Sequence, residues 1–120
     1  MQRNVKIMIK ERFLKYVSYP TMSDETSEAC PSSKKQLELG KYLENELKEI
    51  GLVDVELDTH GYLYATLPAN VENSVTLGLI AHMDTSDACA DEPIVTKIVQ
   101  YDGEDICLNE EKNIFPWWKI

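Results

Sequence analysis

His82 and Asp84 stand one residue apart at the end of the apolar run VTLGLIA, residues 75–81. In an extended chain, residues two apart point to the same side, so the imidazole and the carboxylate can share one site. A neutral imidazole nitrogen is a good zinc ligand, and a carboxylate that accepts the other ring N–H fixes the tautomer and raises the basicity of the ring. The position suits that chemistry, because ligands of open α/β sheets gather where strands leave the core at their carboxyl ends. On spacing alone, the same triplet is more often a turn with a locally satisfied hydrogen bond. Zinc asks for about three or four ligands, and one histidine does not make a site.

The other chemistry-bearing residues add little to this. His60 lies in DTHG, where a turn histidine is ordinarily solvated or bonded to its own backbone. Cys30, Cys89 and Cys107 are odd in number and widely spaced, so neither a disulfide framework nor a cysteine zinc knuckle is indicated. Gly-rich phosphate loops and nucleophile elbows are absent from the sequence, and no serine or cysteine stands at a telling distance from a histidine. Asp87 follows the triplet without a pattern of its own.

The elements that must hold His82 and Asp84 can be read from periodicity. Val5, Ile9, Phe13, Tyr16 and Val17 recur at helical spacing and predict an amphipathic helix over residues 2–17. The polar segment 21–33 reads as a long exposed connection. Ser33 with Gln36 fits a capping box, and Leu37, Gly40, Leu43, Leu47 and Ile50 follow one helical face until Gly51 stops it. Gly40 inside a helix costs about 1 kcal/mol against alanine, which makes sense where another element crosses closely.

Val53, Val55 and Leu57 alternate with acidic residues, and the short DTHG connection predicts an antiparallel hairpin with residues 62–68. The run 75–81 is apolar on both faces, as in a central strand covered by helices above and below. Residues 93–101 read as a further strand, with a turn at Asp102–Gly103 and a short returning strand at 105–108. The fold class expected is α/β, a mixed sheet with helices packed on it.

Composition sets the bounds. The 120 residues amount to one domain of chain, with 43% hydrophobic and 28% charged residues and no stretch long and apolar enough to span a membrane. The net charge is -9; residues 1–19 hold five basic residues against Glu11, or +4, which leaves -13 for the rest. Such an acidic body is a poor binder of phosphate backbones, so no nucleic-acid or membrane partner is expected. The basic start reads as a solvated helix face. Lys6 and Lys10 interrupt the apolar residues near the start, which argues against a secretory signal and makes the cytoplasm the default location.

The segments ERFLKYVSYPTMS, PSSKKQLELGKYLENELKEIGLVDVELDTHGYLYATLPAN, GLIAHMDTS and YDGEDI occur here in the order in which similar segments open the peptidase T family. The resemblance runs over about residues 11–106. These are cytosolic tripeptide aminopeptidases of the dinuclear-zinc aminopeptidase and carboxypeptidase group. The resemblance implies an α/β zinc-peptidase catalytic domain of which residues 1–120 are the amino-terminal part. It implies that His82 binds one of two zinc ions and that Asp84 is the active-site residue orienting it. It also implies small peptides as substrate, bound by their free amino terminus and cleaved by metal-activated water with a glutamate as base. The other ligands, the glutamate and the insertion used for dimerisation fall beyond residue 120 in that family, so a homo-oligomer is an expectation for the full-length protein.

The 120 residues alone are expected to be inactive on tripeptides. The competing expectation is a non-catalytic remnant or partner-binding module, associating through exposed sheet edges and through Trp117 and Trp118.

Overall fold

The computed structural model describes residues 4–88, 94–107 and 114–115. Cys89, Pro93, Trp117 and Trp118, on which some expectations fall, lie outside them. The elements in chain order are α1 (Asn4–Tyr16), α2 (Gln36–Glu49), β1 (Val53–Leu57), β2 (Leu63–Thr66), β3 (Ile106–Cys107) and β4 (Ile114–Phe115). Among the described residues this is a small α/β arrangement with two antiparallel pairs, β1–β2 and β3–β4, in place of the expected mixed sheet.

Helix α2 and the hairpin form the best-packed part, and local chemistry explains their boundaries. Gly51 takes φ +93, a left-handed conformation that a side chain would strain. With it there, the Gly51 N–H donates to the Lys48 carbonyl at 3.1 Å and the Leu52 N–H to the Leu47 carbonyl at 3.1 Å. These are the two bonds of a Schellman stop, and they satisfy carbonyls the helix end would otherwise leave open. The amino end differs from expectation. Lys35 occupies the N-cap without a side-chain cap bond, and the Gln36 N–H donates to the Ser33 carbonyl at 3.2 Å. The Ser33–Gln36 capping box does not form, because the Gln36 amide is used elsewhere.

In the hairpin, the Gly61 N–H donates to the Asp58 carbonyl at 3.1 Å and the Asp58 N–H to the Tyr62 carbonyl at 2.9 Å. The Asp58 carboxylate accepts the N–H groups of His60 at 2.9 Å and Tyr62 at 2.8 Å. This is a three-residue loop with glycine in the left-handed position, a common way to close antiparallel strands. The pairing runs Val53↔Thr66, Glu56↔Tyr64 and Leu57↔Leu63, with an irregularity between Val53 and Glu56 where Asp54 adopts φ 51. Strict alternation did not foretell that bulge. The inner face still holds Val55 and Leu57, while Asp54 and Glu56 are exposed.

Gly40 is where helix and hairpin meet. A Cβ built there would lie 3.0 and 3.2 Å from the two methyl carbons of Leu57, so the close crossing expected of this glycine is present.

Two expectations about apolar surfaces are corrected. In α1, Ile9 and Phe13 are exposed, and α1 meets α2 through polar and aromatic groups instead. The Arg12 Nε donates to Glu46 at 3.0 Å, the Tyr16 hydroxyl donates to the other Glu46 oxygen, and Tyr16 and Tyr19 lie 6.2 and 5.6 Å from the Tyr42 ring. The second correction concerns the expected central strand. Residues 74–84 belong to no strand, and Leu79 and Ile80 are 96% and 101% exposed. A strand needs ladder partners, and one apolar on both faces also needs cover on both. Among the described residues the hairpin pairs only with itself and no second layer lies over this run.

Residues 94–101 are likewise unpaired, while Ile106 and Cys107 form their strand with Phe115 and Ile114 downstream. The radius of gyration, 17.9 Å, exceeds the roughly 14 Å of a compact domain of this length.

Two outcomes follow. Gly40→Leu introduces a better helix former, so propensity favours it; overpacking against Leu57 should nevertheless lower stability by about 1–3 kcal/mol, read as a lower urea midpoint. The Tyr16 phenol is pushed up to about 12 from 10.0, first by burial and then by its hydrogen bond to Glu46 and that residue's charge, with Arg12 opposing. The folded state therefore holds this proton more tightly than the unfolded state does. Its contribution is complete below pH 10.0 and is lost as pH rises through about 12. Ultraviolet titration should show one of the six tyrosines lagging, and Tyr16→Phe should remove that component.

Candidate functional site

The segment that carries His82 and Asp84 is tied to the fold by a short parallel bridge between Met22 and Thr85. The Thr85 N–H donates to the Thr21 carbonyl at 3.0 Å, and the Ser23 N–H donates to the Thr85 carbonyl at 2.9 Å. Segment 21–33 was expected to be exposed throughout, but Thr21 is buried and Met22 and Ser23 are half-buried. Their burial follows from this bridge and from Gln36, whose amide nitrogen lies 3.5 Å from the Thr21 carbonyl. Gln36 is itself buried, and an unpaired amide there would cost about 1–3 kcal/mol.

Just before the bridge, the two expected site residues are in contact with each other. The His82 Nδ1 lies 2.9 Å from the Asp84 carbonyl oxygen and 3.0 Å from Asp84 Oδ1. Both oxygens only accept when the carboxylate is ionised, so Nδ1 must carry the proton. In the neutral ring Nε2 then keeps its lone pair, the form in which imidazole binds a metal. The second carboxylate oxygen, Asp84 Oδ2, accepts the Ser23 hydroxyl at 2.6 Å. These contacts hold the Asp84 carboxyl below its usual range, with the Ser23 bond the larger cause and the His82 bond the next, against a smaller opposing effect of burial. Asp84 is therefore ionised at neutral pH.

The side chains of His82 and Asp84 are 84% and 47% exposed. Among the described residues nothing encloses the imidazole. An open depression of about 420 Å³ adjoins the bridge, lined by residues that include Ser23, Asp24, Ser32, Lys35 and Asp87. Asp87 thus stands beside the bridge, where its carboxylate accepts the Ser86 hydroxyl at 3.3 Å. His60 is spent in the hairpin turn, with its ring nitrogen 3.8 Å from Asp58 Oδ2.

A zinc ion needs about three or four ligands. His82 fits one such position, since its tautomer leaves Nε2 free. Among the described residues, no group of three or more histidine, cysteine, aspartate or glutamate side chains could hold a metal ion. The residues present therefore fit one ligand position and not a whole site.

Ser23 and Gln36 were not expected as site residues. Ser23 is 61 positions from Asp84, and no local spacing signals that contact. The one available sign was a polar pair, Ser33 and Gln36, that suited a cap and proved not to form one.

No protein-family model matches the chain. It is 56% identical over 106 residues to peptidase T of Clostridium acetobutylicum, covering 87% of this chain and 26% of that protein. It is 51% identical over 108 residues to peptidase T of Clostridium botulinum (strain Hall), covering 88% and 26%. Peptidase T of Aeromonas salmonicida is 49% identical over 100 residues, covering 83% and 25%. The chain thus spans about a quarter of the length of these relatives. It is similar over most of its own length to a part of peptidase T, consistent with the amino-terminal portion.

Proposed function

We propose that this chain supplies the His82–Asp84 part of the active centre of a zinc-dependent aminopeptidase that releases the amino-terminal residue of tripeptides. The observation that carries this reading is the pairing of His82 Nδ1 with Asp84, which leaves Nε2 able to bind a metal. The name shared by its relatives supports a peptidase acting on peptides. When bound, zinc supplies the Lewis acidity that activates water for attack on a peptide carbonyl.

This chain's own residues do the positioning. Asp84 accepts the Nδ1 proton, keeps the ring in one tautomer and makes Nε2 a stronger donor. The bridge at Thr85 holds both at the end of the apolar run. On this reading residues 1–120 are the amino-terminal part of a zinc-peptidase catalytic domain, and a second zinc, the general base and the remaining ligands would be supplied by the rest of it. A homo-oligomer and a cytoplasmic location belong to the same reading. No helix among the described residues is long and apolar enough to cross a membrane, and the net charge of -9 disfavours nucleic acid as a partner.

One observation favours a second reading, a non-catalytic association module. The apolar residues Val75, Leu77, Leu79 and Ile80 are all exposed, and surfaces of that kind draw chains together. Light scattering separates the two, because a monodisperse monomer removes the association module.

The enzyme reading is tested by replacing the matching quarter of Clostridium acetobutylicum peptidase T with this chain. The chimera should cleave tripeptides, lose activity on His82→Ala, and lose about 10–100-fold on Asp84→Ala. A folded chimera indifferent to His82→Ala contradicts the proposal. The 120 residues alone, supplied with zinc, should leave tripeptides intact; turnover abolished by His82→Ala would show that they form a complete site.

A further inference from the structure

Behind Asp84 stands a chain of polar groups whose donor directions are all determined. The Gln36 amide nitrogen faces the Thr21 carbonyl at 3.5 Å, and a carbonyl can only accept, so the NH2 end of the side chain lies there. The same nitrogen is 3.4 Å from Ser23 Oγ and 3.5 Å from Ser32 Oγ. Ser23 Oγ accepts from Gln36, which leaves its own proton to donate at 2.6 Å to Asp84 Oδ2. The opposite oxygen of that carboxylate, Oδ1, takes the His82 proton at 3.0 Å. The direction of donation therefore runs from Gln36 through Ser23 to Asp84, and from the other side His82 donates to the same carboxylate.

Each link constrains the next. Gln36 is buried and sits in the first turn of α2, so it cannot follow the exposed segment if that segment moves. Ser23 is held by its backbone bond to the Thr85 carbonyl, so its hydroxyl reaches Asp84 from a fixed side. An aspartate at the end of an unpaired, exposed run would otherwise rotate about its side-chain bonds, and with it would go the second acceptor of the His82 ring proton.

We propose that Ser23, directed by Gln36, is a positioning residue that fixes the Asp84 carboxylate and through it the tautomer of His82. Its bearing on metal binding rests on the proposed function; its effect on the tautomer does not.

Nitrogen NMR of the imidazole rings in isotope-labelled protein reads the tautomer directly, at a pH well above the ordinary histidine range. A His82→Gln variant separates the signals of His82 from those of His60. The wild-type chain should show His82 protonated on Nδ1 and free on Nε2. In Ser23→Ala the ratio should move at least several-fold toward Nε2–H, with the amide spectrum of α2 and the hairpin unchanged, and Ser23→Thr should restore it. Ser23→Cys keeps the volume with a weak donor and should shift the ratio in the same direction if the alanine variant does not fold.

A wild-type tautomer ratio in both Ser23→Ala and Ser23→Cys overturns the proposal. In the chimera, activity that depends on His82 together with an unmoved tautomer overturns the positioning role alone. A tautomer that shifts as expected in a chimera indifferent to His82 supports the positioning role and removes the peptidase reading.

Discussion

Two backbone hydrogen bonds, from Thr85 to Thr21 and from Ser23 to Thr85, decide where the site stands. Each contributes on the order of 1 kcal/mol. Their importance lies in what has no other support. The run that leads into His82 is unpaired and exposed from Val75 to Ile80, so without this bridge nothing among the described residues would set the position of the histidine. The bridge also aligns the Ser23 hydroxyl with Asp84 and places Thr21 over the buried Gln36. Backbone pairing, a buried amide and a carboxylate are thereby coupled, and the imidazole at their end inherits the order of all three.

The parts of this fold that could be read from sequence are those whose causes are local. Gly51 ends α2 because a left-handed residue is needed there, and Asp58 with Gly61 closes the hairpin through bonds spanning four residues at most. Gly40 marked a close crossing because glycine inside a helix is unfavourable without a reason, and Leu57 is that reason. The sites of error have causes that periodicity does not encode. The apolar stripe of α1 suggested a buried face, but of that stripe Ile9 and Phe13 are exposed, and Tyr16 meets α2 through its hydroxyl on Glu46 beside Arg12, charged side chains that a hydrophobicity pattern counts as solvent-facing. Ser33 and Gln36 had the spacing of a cap, yet the Gln36 amide is drawn to a carbonyl fifteen positions earlier.

The same division holds at the site. The spacing of His82 and Asp84 was enough to suggest that they meet, because residues two apart in an extended chain do so with no help from the rest of the fold. Ser23 is far off in sequence and was invisible to any local pattern. The apolar run 75–81 carries a different lesson. Its composition states what the segment requires, ladder partners and cover on both faces, while the described residues supply neither. The bridge at Thr85 holds the end of this run independently of any such partners.

Amide hydrogen exchange on the 120-residue chain tests that independence most directly. If the bridge organises the end of the run by itself, the Thr85 and Ser23 amides are protected well beyond those of Leu77, Leu79 and Ile80, which exchange as in an open chain. Exchange at Thr85 as fast as at Leu79 would contradict it, and would leave the His82–Asp84 pair without an anchor to the rest of the fold.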